Sequence, residues 1–208
     1  MLSEIRTGAI TSADGGVNPA RGDKTGATVV TQGHARLQEA VLQGTTYAVA
    51  NQVGVTSQAG ISATTPVLTL YNPLGSGKNL VIWYAGAVFT VAFATAGAIF
   101  VCVGTDVQTA AVTGTLTTTH RNLKLGTTAS PTARTLLAAT LPVAPVAVAI
   151  LGVGLTGAIN TVPAAPPVGR WFDGSLVVIP GANISIQTGV ASGASGMFCE
   201  YIWEEIAV

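Results

Sequence analysis

Two glycine-rich runs, two histidines, three glutamates near the C-terminus and a scatter of aromatic rings are the residues of this 208-residue chain that could do chemistry. Gly152-Val153-Gly154-Leu155-Thr156-Gly157 has the spacing of a dinucleotide-binding fingerprint and follows an apolar run. Asp173 stands nineteen residues beyond Gly154, where an acid would meet a ribose hydroxyl. That chemistry requires a helix next, whose first amides hold the pyrophosphate. Pro163 arrives six residues after Gly157, with Pro166 and Pro167 behind it, so no crossover helix is expected. The run reads as a Gly-rich β-turn. Gly75-Ser76-Gly77-Lys78-Asn79 partly matches a phosphate loop, but Asn72 stands where its first Gly belongs and Asn79 replaces the Mg²⁺-binding hydroxyl. A strand, not a helix, is expected after it, and the segment reads as a turn with an exposed lysine.

His34 and His120 each sit alone among polar or Gly neighbours, without the thiol or carboxylate partners a zinc site needs. Either could meet Asp106 in a Ser-His-Asp arrangement, yet no GxSxG sequence supports one. Both are expected on the surface. Glycosidase chemistry needs two carboxyls facing each other across a cleft. Glu200 and Glu204 on one strand would stand about 13 Å apart, while Glu204 and Glu205 would point to opposite faces. These are expected to be solvated or interface acids. Among the aromatics, Trp83, Tyr84, Trp171, Phe172, Tyr201 and Trp203 could form a sugar-binding shelf, although Trp83 and Trp203 are expected to anchor the core. Cys102 and Cys199 lie in apolar runs and read as buried free thiols. A bond between them requires neighbouring strands. No catalytic, cofactor-binding or metal-ligating residue is therefore expected, and the chain is expected not to be an enzyme.

The elements that would have to position such residues are short strands. Runs of apolar and β-branched residues are broken by Gly and Pro every 8–12 residues, the pattern of a sandwich or barrel. Thr28–Thr31, Thr45–Ala50, Pro66–Tyr71, a long strand over 80–93 with a bend at Gly86, and strands over 98–103, 133–140 and 146–153 are expected. Residues 35–42 fit either a strand or a short helix. Residues 55–65 read as a loop or weak edge strand, and 109–119 as a polar surface strand pair or loop. Leu176–Ile179, Pro180-Gly181-Ala182 and Asn183–Thr188 read as a hairpin. Residues 197–206 alternate, with Cys199, Tyr201 and Trp203 on one side. The expected fold is all-β, an antiparallel β-sandwich over residues 27–208. Before it, residues 1–26 hold six of the eighteen charges among glycines and turn residues, and read as an extended arm. The start Met1-Leu2-Ser3-Glu4 lacks the apolar core of a secretory signal and reads as a mature terminus.

Charge bounds the partners. Charged residues make up 9% and hydrophobic residues 49% of the chain, with a mean hydropathy of +0.54. A monomer needs a charged surface to remain unassociated, so much of this surface is expected to face protein or lipid. Nine basic and nine acidic residues cancel and leave no basic stripe for nucleic acid. Residues 79–105 and 135–159 are uncharged and pass on hydropathy as transmembrane helices. Their β-branched and aromatic content, Pro142 and Pro145, and the lack of flanking Lys/Arg clusters argue for buried strands. No membrane partner is expected; a membrane-spanning pore protein is the alternative, and it requires a continuous helix over 80–105.

The run from Asp173-Gly174-Ser175 through Pro180-Gly181-Ala182 to Ile186 leads into Tyr201-Ile202-Trp203-Glu204-Glu205-Ile206. Together with Ala50-Asn51-Gln52 and the segment from Leu70-Tyr71-Asn72-Pro73 to Leu80, it resembles jelly-roll structural proteins of tailed-bacteriophage virions, capsid decoration (cement) proteins among them. The resemblance covers about residues 27–208 and rests on turns and strand endings. It implies a jelly roll, a homotrimer, and docking on a major capsid protein or other virion proteins at the surface of the head or tail, after assembly in the bacterial cytoplasm. The function it implies is stabilisation of the head shell through subunit contacts, with a tail-fibre or receptor-binding protein as the alternative.

Overall fold

The computed structural model describes residues 36–56, 58–93, 95–104, 107, 110–117, 119–154, 167–191 and 196–208. The chain divides between Glu39 and Ala40. The expected arm, its boundary after residue 26 and the strand expected at Thr28–Thr31 lie outside the described residues. Residues Gln38–Gln43 form a short helix, α1, so the helical alternative for that stretch is the correct one. Eleven strands follow among the described residues: β1 (Thr46–Ala50), β2 (Leu68–Tyr71), β3 (Lys78–Phe89), β4 (Gly97–Val103), β5 (Thr113–Leu116), β6 (Arg121–Asn122), β7 (Arg134–Thr140), β8 (Val146–Gly154), β9 (Val168–Val178), β10 (Asn183–Thr188) and β11 (Met197–Ala207).

They form two antiparallel sheets, ordered β6-β1-β11-β3-β9 and β5-β7-β2-β10-β4-β8. Eight of the strands pair as one long hairpin rolled on itself: β1 with β11, β2 with β10, β3 with β9, and β4 with β8. Rolling brings β11 against β3 and β10 against β4, which closes each four-stranded half. This is the jelly-roll topology. The remaining strands come from an excursion between β4 and β8. It crosses to the far edges, where β6 extends one sheet beside β1 while β7 and β5 extend the other beside β2.

Alternation along the strands dictates which residues fill the space between the sheets. On β11, Met197, Cys199, Tyr201 and Trp203 point inward and are buried. The Trp203 ring stacks on Tyr47 of β1 at 5.8 Å, and Phe89 meets Phe93 edge-on at 5.2 Å. Leu80, Ile82, Ile99, Val101, Ile184 and Ile186 complete the centre. β2 and β10 are buried on both faces. Their outer side is strapped by residues 58–63, where Gln187 accepts from the Gln58 side chain (2.5 Å) and the Ser62 amide (2.8 Å) and donates to the Ser62 carbonyl. Ala63 of the strap packs with Tyr71, Leu136 and Leu141. The stretch expected as a loop or weak edge strand is thus a lid on the sheet, bridged to Thr140 of β7 at Thr64, while Val55 bridges Met197 of β11 in the other sheet.

Three expectations are corrected, the hairpin over 176–188, the bend at Gly86 and Trp83 as a core anchor, while the expectation of strands over 79–105 and 135–159 holds. Leu176–Ile179 and Asn183–Thr188 do not form a hairpin, because β9 pairs with β3 and β10 with β2 and β4, in opposite sheets. The Pro180-Gly181-Ala182 turn carries the chain across the sandwich, pinned by Gly181 donating to the Asn72 carbonyl (2.7 Å) and by the Asn72 amide donating to Ala182 (3.0 Å). Apolar residues on both arms are satisfied by one core from opposite sides. The irregularity in β3 falls at Trp83 rather than Gly86: Trp83 is an extra residue between Ile82 and Tyr84, and it is only partly buried, outside the core. Residues 79–105 and 135–159 contribute β3, β4, β7 and β8, and no helix among the described residues is long and apolar enough to cross a membrane.

Candidate functional site

The motifs that suggested chemistry resolve into packing. Gly152 and Gly154 lie in β8, a strand and not the expected turn. A Cβ on Gly152 would fall 2.5 Å from a Val168 methyl, and one on Gly154 would fall 2.6 Å from the Phe93 ring. The two glycines let neighbouring chain close over the sandwich edge. Residues 155–166, Gly157 among them, lie outside the described residues, as do His34 and Asp106. Gly75 and Gly77 take left-handed conformations in the turn entering β3, and Lys78, partly buried, begins that strand.

Glu205 departs from the solvated reading. Only 5% exposed, it accepts from the Thr132 amide at 3.0 Å and the Ala133 amide at 2.9 Å, with the Trp203 indole N–H at 3.5 Å. It ties the end of β11 to the chain entering β7. Glu200 is exposed and Glu204 half-buried, accepting from the Thr45 hydroxyl at 3.1 Å. His120 is half-buried rather than on the open surface. Burial, with Arg121 behind it, holds its pKa below the ordinary value, while the Thr117 backbone and Glu205 pull the other way. Among the described residues, no three His, Cys, Asp or Glu side chains converge as a metal site would require. Cys199 on β11 and Cys102 on β4 belong to different sheets and are free and buried. Burial pushes the Cys102 thiol up to about 12 and Cys199 further in the same direction.

Two surface features stand apart from this inert interior. The first is β8, which closes one edge of its sheet. Val146, Val148, Ile150 and Val153 are 51%, 50%, 63% and 52% exposed. Beside them runs a groove of about 470 Å³ lined by Phe100, Ala147, Val148, Ala149, Ile150 and Arg170. Natural edge strands are normally blunted by charge, proline or shortness. β8 has nine residues, none charged and none proline, though its register shifts twice against β4.

The second feature lies on the outer face of the other sheet. Tyr84 of β3 and Trp171 of β9 stand opposite each other in register, with ring centroids 5.0 Å apart and planes inclined at 51°. One row along, Glu200, Gly86 and Gly169 lie side by side on β11, β3 and β9. The Tyr84 ring lies over the two glycines: a Cβ at Gly169 would fall 2.0 Å from the phenol oxygen, and one at Gly86 2.7 Å from the ring. A groove of about 360 Å³ continues from Gly86 and Glu200 past Val88, Phe198 and Pro167. Of the aromatics that could have formed a shelf, the structure brings together Tyr84 and Trp171. Phe172, Tyr201 and Trp203 are buried in the core.

Of β9 only the stretch from Leu176 onward was expected as strand; the part from Val168 to Ser175 was not. Both Asp173 and Gly174 take positive φ (56° and 79°) within a four-residue bulge of β9 opposite Trp83, closed by Ser175 Oγ donating to the Phe172 carbonyl at 2.6 Å. An Asp-Gly pair suits such a turn. Neither a family model, nor a curated protein, nor a solved structure matches the chain.

Proposed function

We propose that the chain is a non-enzymatic structural protein of a tailed-phage virion, a capsid decoration (cement) protein that stabilises the head shell through subunit contacts. The observation that supports this most is the β8 edge, a neutral strand with four large apolar side chains in water. Fully burying such a side chain is worth roughly 1.5–3 kcal/mol, so an edge of this kind gains by being covered. Low overall charge points the same way, because permanent subunit contacts resemble cores cut in half. Double-sheet jelly rolls recur in viral shells, an analogy that adds to the reading without carrying it. In this role the chain self-associates, as a homotrimer by the sequence resemblance, and avidity over a lattice of identical sites multiplies modest single contacts.

Copy number tests the proposal. Quantitative mass spectrometry of purified virions from the producing host is expected to find the chain at hundreds of copies per particle, as shell decoration requires. Tens of copies would replace decoration by a tail-fibre role, and absence from the particle would refute both.

A further inference from the structure

We propose that the outer face of the sheet β6-β1-β11-β3-β9 carries a carbohydrate-binding site, with Trp171 and Tyr84 as its platform, Glu200 as its acceptor, and a neutral sugar ring as its ligand. It lies on the sheet that β8 does not belong to, and it holds whether or not copies of the chain assemble.

A pyranose ring presents a flat patch of C–H groups bordered by hydroxyls. A site for it needs an exposed aromatic face and, beside that face, a few fixed polar groups. Trp171 supplies the face. It is 51% exposed at an outward position of an edge strand, where burial offers no reason for an indole. The inclined Tyr84 ring turns the surface into a shallow corner. That ring is held in place from below: with glycine at both Gly86 and Gly169 it lies against backbone, and any larger residue would lift it. Ordering therefore costs little on binding.

The polar groups converge at one point. The Cβ position of Gly86 is 2.8 Å from Glu200 Oε1 and 2.8 Å from the Tyr84 hydroxyl, so carboxylate and phenol meet above the same glycine. Burial and the Glu200 charge raise the phenol's pKa, so it stays protonated and donates where the carboxylate accepts. A donor and an acceptor side by side match vicinal hydroxyls, each of which can do both. An organic cation is the competing ligand for aromatic rings beside an acid. It has no use for a phenol donor, and two rings in mutual contact leave no cage around an ammonium group. The groove of about 360 Å³ beyond Gly86 gives a longer saccharide room to continue along Val88 and Phe198.

The test uses the full chain on a panel of immobilised neutral trisaccharides of glucose, galactose and N-acetylhexosamine, with choline and a trimethyl-lysine peptide as cation probes. Hits are measured by titration calorimetry. At least one trisaccharide is expected to bind. Trp171→Ala is expected to weaken it at least about tenfold, and Trp171→Phe, which keeps a ring, to retain most of it. Gly169→Ala displaces Tyr84 while leaving Trp171 and Glu200 intact, and is expected to weaken binding comparably. Glu200→Gln tests the acceptor without changing shape, and is expected to cost severalfold. Unchanged circular dichroism verifies that each variant is folded. No binding at millimolar saccharide, binding indifferent to Trp171→Ala, or binding of the cation probes alone would each overturn the proposal.

Discussion

Glu205 is the residue whose role was hardest to read from sequence and is easiest to test. In the pattern Glu200-Tyr201-Ile202-Trp203-Glu204-Glu205 the inward positions are Tyr201, Trp203 and Glu205, so strict alternation places the last acid inside. What the sequence did not supply was its partners, because Thr132 and Ala133 lie over seventy residues earlier and donate through backbone amides that carry no side-chain signature. Glu205→Ala leaves both amides unpaired in a buried place and is expected to cost about 2–4 kcal/mol in urea unfolding; a loss below about 0.5 kcal/mol would show water substituting for the carboxylate. The cysteines give a second test. With the Cys102 pKa at about 12 and that of Cys199 raised further, both remain thiols at pH 8 and are shielded as well. Native protein is expected to be inert to a thiol-reactive dye at pH 8, and protein in guanidinium to react at both cysteines. His120 gives a third. Its folded pKa is lowered below 6.5, so the unfolded chain binds the proton better. Stability is expected to be full above pH 6.5, to fall as pH drops through that value, and to level off below the folded pKa. His120→Asn should flatten that part of the profile, and an unchanged slope in the variant would assign it elsewhere.

At the scale of elements, the strands with strong alternation or long apolar runs were legible, and the connections were not. β1, β2, β4, β7, β8, β10 and β11 fall within a few residues of where composition puts them. The Pro180-Gly181-Ala182 turn was misread because a tight turn between apolar arms looks the same whether the arms pair or cross between sheets. Only long-range register, β9 on β3 and β10 on β2, separates the two. Asn72 holds this crossover. Its side-chain amide donates to the Lys78 carbonyl and the Val178 carbonyl, both at 2.8 Å, linking the ends of β2, β3 and β9. Asn72→Ala is expected to lower stability by about 2–3 kcal/mol, with Asn72→Asp less severe only if a rotated oxygen finds a donor. Denaturation midpoints of the two variants decide the point. The Tyr84–Trp171 pair was visible as residue types but not as a pair, since the in-register contact depends on bulges at Trp83 and at Phe172 to Ser175 that no local rule locates.

For the whole molecule, the composition already carried the main physical problem: 9% charge and 49% hydrophobic residues over 208 positions. The jelly roll solves part of it by burying both faces of β2 and β10 under core and strap. It leaves β8 uncharged and open along one sheet edge, with Val148 and Ile150 half or more exposed. An edge strand of this kind is a template for another chain. Two lysines placed there, Val148→Lys with Ile150→Lys, add charge to exposed positions and leave the core untouched. Light scattering on purified protein before and after that double substitution tests assembly through β8 most directly. The unsubstituted chain is expected to run as a multimer, and the double variant as a 20.9 kDa monomer with the same β-type circular dichroism. An unsubstituted chain that stays monomeric at high concentration, or a double variant that assembles unchanged, would contradict it.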